Sequence, residues 1–354
     1  MLKLTQCLIV KNEELNLPRA LNWGKKLFDE QIVVDTGSND STVAIAEKMG
    51  AKVFHFEWID DFSAARNFAI SQCTGDWIFF LDADEYFEDA DVPFLRPLIE
   101  KIDRHCITVK NEKHLYNVVE TPWVNLENNN ISRQARIFKN VSYLRYAGAL
   151  HEQLHAMPGG YLKVYPIKDS PAIYHAGYVW SADNSKAAKS ARNFEIARKA
   201  LEKSPGCAKL QLFAAEALMF EGKYSEAERY FSEAMKNSDG SIWSERVREG
   251  YKQWLSTYLN MENFESQTSD LLELAVRAHS EAVSKFSDDA DFDILISLLY
   301  FKAKDIKNTM HFFSASLSKK RGRISESLMA SNSELFNRLR AVCEELNYGK
   351  MLWY

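Results

Sequence analysis

The sequence predicts two architectures in series: an α/β domain with a mostly parallel sheet over residues 1–180, then an all-α domain over residues 181–354. Three observations predict it. Short apolar runs rich in β-formers alternate with helix-period segments through residues 4–85. Polar residues stand at the exits of three of those runs. After residue 181 proline and glycine thin out, and long Ala/Leu/Glu/Lys/Ser stretches of helical period take over.

The first strand is residues 4–10 (LTQCLIV), ended by Asn12-Glu13-Glu14. Leu17, Ala20, Leu21, Gly24 and Leu27 then recur at helical spacing, with Pro18 tolerated in a first turn. Ile32-Val33-Val34 forms a second strand, and Thr36-Gly37-Ser38-Asn39-Asp40 is a turn that caps a helix over 41–49, closed by Gly50. A strand over 51–56, a helix over 63–72 and a strand over 77–81 follow, the last running into Asp82. This alternation implies right-handed βαβ units. Such sheets bind ligands beyond the carboxyl ends of their strands, where Asn12, Asp35 and Asp82 fall. Residues 89–178 are less regular, with a helix over 92–103 and several short strands.

In the second half, Ala215, Leu218, Gly222, Tyr224, Ala227, Phe231 and Ala234 sit at the offsets of a tetratricopeptide unit of ~34 residues. Lys203-Ser204-Pro205 closes a preceding half-unit. Helical hairpins of this kind stack to bury their apolar faces, so further helices are expected over 241–260, 264–286, 292–303, 305–318 and 325–346.

Composition narrows the function. A net charge of −5 argues against wrapping nucleic acid by bulk electrostatics. No apolar run approaches the ~20 residues of a membrane span, although peripheral association with a membrane stays compatible. The first residues, MLKLTQCLIVKNEE, lack the cleavage site of a secretory signal. Cys7, Cys73, Cys106, Cys207 and Cys343 have no CxxC spacing and read as reduced core thiols in a cytoplasmic protein.

The strongest chemical signal is Phe79-Phe80-Leu81-Asp82-Ala83-Asp84-Glu85. On a continuing strand, side chains alternate with period two, so Asp82 and Asp84 share a face. Magnesium and manganese take one or two carboxylates and complete their shells with phosphate oxygens and water, so the pair suits a metal–diphosphate clamp. The competing reading is a solvated acidic turn. A second signal is Asp35 before Thr36-Gly37-Ser38-Asn39-Asp40: a carboxylate at a strand exit can accept from a nucleobase imide N–H, while turn and N-cap chemistry accounts in part for Ser38 and Asp40. Arg66, on the first turns of a helix, can face a phosphate or base, or pair with Asp60.

These blocks resemble glycosyltransferase family 2, the inverting sugar-nucleotide enzymes of the GT-A fold. The likeness runs through CLIVKNEELNLPRAL, IVVDTGSNDST, AKVFHFEWIDDFSAARNFAI and GDWIFFLDADE, nearly all of residues 4–85. It implies a GT-A catalytic domain, a nucleotide-sugar donor (a UDP-sugar) and Mg2+ or Mn2+. By that resemblance Asp35 binds the uracil, Arg66 helps hold the nucleotide, and Asp82 with Asp84 holds ribose and metal. Asn12 and Asp40 then line the nucleotide site. Glu152 in YAGALHEQL takes the place of the acceptor-side base, with Asp183 or Glu127 next in line. His175 in YHAGY resembles a late histidine that completes the metal site in GT-A enzymes. With its tetratricopeptide-like helices, the chain is similar to a bacterial subgroup that includes peptide S-glycosyltransferases. The same N-terminal blocks occur in enzymes of cell-surface glycans, so the implied acceptor is a peptide, a protein or a glycan, docked by the helical repeats.

Three other functions compete. A sugar nucleotidyltransferase needs a glycine-rich basic loop after the first strand, where this chain has Lys11-Asn12-Glu13-Glu14. A non-catalytic helical scaffold has no use for an intact Asp82/Asp84 pair. His151-Glu152-Gln153-Leu154-His155 spells the HExxH zinc-peptidase motif, but that chemistry needs a helix and a third ligand. Pro158-Gly159-Gly160 would end such a helix within a turn, and no glutamate follows before Glu195. His155 is then a packing or hydrogen-bonding residue.

Overall fold

The computed structural model describes residues 2–109, 112–176, 186–241, 243–261, 268–319 and 333–345. The chain forms two compact units, Met1–Ala188 and Lys189–Tyr354. The boundary expected between residues 180 and 181 lies outside the described residues.

Four parallel strands open the first unit: β1 (Leu4–Val10), β2 (Glu30–Asp35), β3 (Lys52–His55) and β4 (Trp77–Phe80), in the order β3-β2-β1-β4. Helices α1 (Leu17–Asn22), α2 (Thr42–Lys48) and α3 (Phe62–Gln72) connect them. β1 is buried along nearly its whole length, as expected where helices cover both faces of a parallel sheet. Its polar residues are satisfied internally. Thr5 Oγ1 donates to Glu30 at 2.7 Å, and Gln6 donates to the Ala20 carbonyl of α1 at 2.7 Å. α1 stops at Asn22, short of the Leu27 at which the apolar spacing ends. Residues 23–27 continue as turns, and at Gly24 the Phe28 ring lies so close that a Cβ there would stand 2.1 Å from Phe28 Cε2. α3 starts where the sequence predicts, because the Asp61 side chain accepts from the Ala64 N–H at 3.0 Å.

Beyond β4 the sheet changes character. β5 (Glu85–Tyr86), β8 (Val118–Asn125), β9 (Ile131–Lys139), β12 (Val164–Pro166) and β13 (Ile173–His175) extend it as β4-β9-β8-β13-β5, with β12 also beside β8. β9 runs antiparallel to both neighbours, and β13 is parallel to β8 but antiparallel to β5. The sheet is mixed but mostly parallel, and only its first four strands have the βαβ form. α4 (Val92–Arg104) and the hairpins β6–β7 (Cys106–Val109, Glu112–Leu115) and β10–β11 (Leu144–Ala147, Gln153–Ala156) complete the unit.

Two apolar clusters fix the sheet. Trp77, Phe79, Leu81 and Phe87 pack with Leu95, Ile99 and Ile102, the i, i+4, i+7 face of α4. Ile78, Phe80 and Phe138 pack with Ala69 and Ile70 of α3. Each large side chain fully buried in this way contributes about 1.5–3 kcal/mol. Cys7 and Cys73 belong to this interior and are reduced, but Cys106 is exposed at the start of a two-stranded hairpin and Cys207 is half-buried. The core-thiol expectation therefore fails for these two, and the Cys343 side chain lies outside the described residues.

The second unit is all-helical: α5 (Lys186–Lys203), α6 (Ala208–Phe220), α7 (Tyr224–Asn237), α8 (Trp243–Leu259), α9 (Thr268–Lys285), α10 (Ala290–Lys302), α11 (Ile306–Leu317) and α12 (Ser333–Glu345). The repeat signature falls on the α6–α7 hairpin. Ala215, Leu218, Ala227, Phe231 and Ala234 are fully buried, and Gly222 makes the turn at φ 77°. Phe231 stacks on Trp254 of α8 with centroids 4.8 Å apart. Among the described residues no helix is long and apolar enough to cross a membrane.

Candidate active site

Because β1, β2 and β4 run parallel, their carboxyl ends share one edge of the sheet, and the loops leaving that edge interlock. Asn12, at φ 55°, donates its N–H to Ser38 Oγ at 2.9 Å and accepts the Asn39 N–H at 2.8 Å. Asp35 is buried at the end of β2 and accepts the N–H groups of Gly37 and Ser38 at 3.2 and 3.0 Å. That tight turn needs φ 103° at residue 37, a conformation glycine adopts without strain. His55 Nδ1 stands 3.4 Å from Asp35 Oδ2. Asp40 accepts from the N–H groups of Thr42 and Glu14 at 2.9 and 3.2 Å. Burial opposes its ionisation, but these hydrogen bonds outweigh it and hold the carboxyl below its usual range. Asn12, Asp35 and Asp40 are thus brought into one loop cluster, in which Asp40 is a structural clamp.

The second cluster surrounds Asp82. β4 ends at Phe80, so residues 82–85 form a turn and the period-two reason for placing both aspartates on one face does not apply. They face different partners. Arg66 Nη2 donates to Asp82 Oδ1 at 2.8 Å, and Arg136 Nη2 donates to Asp82 Oδ2 at 2.7 Å. Burial works against the Asp82 anion, yet Arg136 and then Arg66 hold its carboxyl well below the usual carboxylate range. Arg66 itself is buried between the rings of Phe80 and Tyr146, 4.7 and 5.2 Å from their centroids. Its Nε donates to Glu152 Oε1 at 2.5 Å. Arg66 therefore pairs with Asp82 and Glu152, not with Asp60. Burial disfavours its cation, but Asp82 and Glu152 keep it charged well above its ordinary range.

Asp84 turns instead to His175, with Oδ2 and Nε2 2.9 Å apart. Burial pulls the imidazole down, but its hydrogen bond to Asp84 outweighs this and raises its pKa. β13 puts His175 there by pairing it with Glu85 of β5, and the Ala176 N–H donates to the Asp84 carbonyl at 3.0 Å. Among the described residues no group of three or more His, Cys, Asp and Glu side chains is gathered to hold a metal. Two ligands suffice where diphosphate oxygens and water complete the shell. Asp84 and His175 put a carboxylate oxygen and an imidazole nitrogen side by side, and these are the two residues that would hold such an ion. Asp82, with a guanidinium on each oxygen, is a poorer cation ligand and a better acceptor for neutral donors.

The HExxH segment is not helical. His151 takes φ 49° and residues 153–156 are β11, so the two histidines cannot share a helical face. His155 is exposed, contrary to the packing role expected of it. Gly148 adopts φ 104° two residues before Leu150, and the Ala149 carbonyl accepts the Phe62 N–H of α3 at 3.0 Å. Glu152 is thereby carried to Arg66. Glu127 is exposed beyond β8, and Asp183 lies outside the described residues.

Sequence reasoning passed over Arg136 and Glu85 as site residues. Glu85 is 1% exposed and accepts from Asp82 N–H at 2.9 Å, Trp123 Nε1 at 2.7 Å and Arg136 Nη2 at 3.0 Å. Burial pushes its carboxyl up against the pull of Arg136. A charged residue in the apolar run ARIF of β9 was the available signal for Arg136.

Residues 6–152 match the family model described as glycosyl transferase family 2. That match lies within the N-terminal unit. A TPR repeat-containing protein of Synechococcus elongatus is 38% identical over 186 residues, 50% of this chain and 43% of that protein. The SPbeta prophage-derived glycosyltransferase SunS of Bacillus subtilis is 28% identical over 237 residues, 65% of this chain and 52% of that one. The chain spans about half the length of these curated relatives. Among solved structures, that of S. aureus TarS is similar at 17% identity and a TM-score of 0.38, covering 88% of this chain and 54% of that chain.

Proposed function

We propose that the N-terminal unit is an inverting, metal-dependent glycosyltransferase that moves a sugar from a uridine diphosphate sugar to a hydroxyl or thiol of a peptide, protein or glycan. The observation that carries this reading is the double use of Arg66. One buried guanidinium holds Asp82, at the strand exit where a nucleotide would lie, and Glu152, in the connection between β10 and β11. One guanidinium thus links an acceptor carboxylate on the donor side to the carboxylate we assign as the base on the acceptor side.

Inversion needs a proton acceptor on the face of the sugar opposite the leaving group. Glu152 has one oxygen on Arg66, and its carboxylate takes the proton of the attacking group. Asp35 accepts from the uracil imide, and Asn12 orders the neighbouring loop. Asp82 accepts from the ribose. Asp84 and His175 are the residues that would hold Mg2+ or Mn2+, which when bound offsets charge on the departing diphosphate. The stacked helices of the second unit offer a docking surface for the acceptor, as helical repeats do.

A thermal-shift screen of nucleoside diphosphates and their sugar conjugates, with and without manganese, tests the assignment. Binding to the folded state raises the melting temperature by mass action. Uridine diphosphate with manganese should give the largest rise. No shift with any nucleotide, in either condition, refutes the function.

A further inference from the structure

Asp82 is gripped at three points. Arg66 holds Oδ1 at 2.8 Å, Arg136 holds Oδ2 at 2.7 Å, and Glu85 Oε2 accepts the Asp82 backbone N–H at 2.9 Å. Glu85 also closes the arrangement behind Arg136: its Oε1 takes the same Nη2 at 3.0 Å, together with the indole N–H of Trp123 at 2.7 Å. Main chain and carboxylate are therefore fixed independently. A carboxylate has about four lone-pair sites, and the two guanidinium bonds leave others open. The Asp82 side chain is 35% exposed, so the carboxylate is not sealed off by its two arginines.

Stability alone does not call for such a cluster. A buried ion-pair set can often be replaced by well-packed apolar residues at no loss, because desolvation offsets the Coulomb attraction. Strands around it already supply an apolar interior: Ile137 and Phe138, which follow Arg136 on β9, are fully buried. Orientation is what the ion pairs add. Removing rotamer freedom from an acceptor before a ligand arrives lowers the ordering cost of binding.

We infer that Arg136, braced by Glu85, is a positioning residue that holds Asp82 in the orientation needed to accept from the sugar nucleotide. The inference rests on the proposed function and adds to it two residues outside the motifs of the first ~85 residues or without a role in them. Arg66 holds the other Asp82 oxygen, Oδ1, and pairs with Glu152 as well, so Arg136 alone is in contact with Oδ2.

The test uses the full chain and the variants Arg136→Met, Arg136→Lys and Glu85→Gln. Ligand-free thermal unfolding is measured first. Uridine diphosphate binding in manganese is then followed by calorimetry well below each midpoint, so that only folded protein is titrated. Arg136→Met should weaken binding by about 10–100-fold, the usual effect of losing a partner that orients a site residue. Arg136→Lys should recover part of this, because an ammonium keeps the charge and can donate to both carboxylates from one nitrogen, as Nη2 does, but lacks the planar guanidinium that fixes the direction of those bonds. Glu85→Gln should fall between wild type and Arg136→Met. If Arg136→Met does not fold, the other two variants decide the question. Wild-type affinity in the folded variants, with only the melting temperature lowered, overturns the positioning role and leaves the glycosyltransferase reading standing. Failure of the wild-type protein to bind any nucleoside diphosphate overturns that reading and the positioning role with it.

Discussion

Arg66 and Glu152, 86 residues apart in sequence, meet at 2.5 Å between Nε and Oε1. The contact makes Glu152 both a candidate base and half of a buried ion pair, and two substitutions separate these roles. Glu152→Gln keeps an oxygen for Arg66 but cannot take a proton. It should retain uridine diphosphate binding by calorimetry and lose transfer to a hydroxyl acceptor by ~10²–10⁴-fold. A thiol acceptor, already partly ionised, should suffer less. Glu152→Ala should also lower stability, by about 3–5 kcal/mol in chemical denaturation, because it strips a buried guanidinium of one partner. Near wild-type transfer to a hydroxyl acceptor by Glu152→Gln would move the base elsewhere.

Asp84→Ala should abolish manganese-dependent nucleotide binding while preserving the circular dichroism spectrum. His175 loses its carboxylate partner, but Asp82 keeps both of its arginines. Activity that persists unchanged in a chelator would rule out the metal assignment.

Uridine diphosphate should bind more tightly than guanosine or adenosine diphosphate, and Asp35 should be a main discriminator. A site built to hydrogen-bond one edge of a base penalises ligands that leave its polar groups unpaired. Competition titrations that give equal affinities for the three would refute the uracil contact.

Glu30 governs acid stability at the opposite edge of the sheet. Burial opposes its ionisation, but Thr5, the Thr74 N–H and Lys52 all donate to it and lower its pKa to about 2. Between that value and the ordinary glutamate range the unfolded chain binds the extra proton, so this stabilisation is complete above about pH 4.5 and is lost as the pH falls toward 2. Glu30→Gln should cost about 2 kcal/mol at neutral pH. The gap from wild type, followed by denaturant titration at successive pH values, should close across that window. A gap independent of pH would show that the charge is not what Glu30 contributes.

In the helical unit, Phe231→Ala should destabilise by about 3–5 kcal/mol, since the ring is fully buried and stacked on Trp254. Unfolding monitored by tryptophan fluorescence would report it, and a loss under 1 kcal/mol would contradict the packing.

The βαβ half and the repeat hairpin were legible because both obey local periodicities. β1 coincides with its expected span, and the signature residues Ala215 to Ala234 fall inside α6–α7 as expected. Local pattern does not encode the switch from parallel to antiparallel pairing at β9, or the insertion of β13 between β8 and β5. The same limit applies to the site. Asp35, Asp82 and Asp84 announce themselves at strand exits. The partner of Arg66 was undecided from sequence because Glu152 is distant along the chain, and Arg136 is one of three basic residues on β9, beside Arg133 and Lys139, among which local pattern does not choose. The divergence of Asp82 from Asp84 depends on where β4 stops, a one- or two-residue matter on which pattern is weakest.

β13 carries a consequence for biosynthesis. It closes the seam between β8 and β5, and its last residue is His175. A ribosome delivers Asp82 and Asp84 early, but the nascent chain presents two unpaired strand edges until β13 emerges, the kind of surface that invites association with other chains. Only then can the imidazole reach Asp84. Formation of the Asp84–His175 pair is thus tied to synthesis of almost the whole first unit, and a fragment arrested before residue 173 would contain the Asp-x-Asp sequence without that contact.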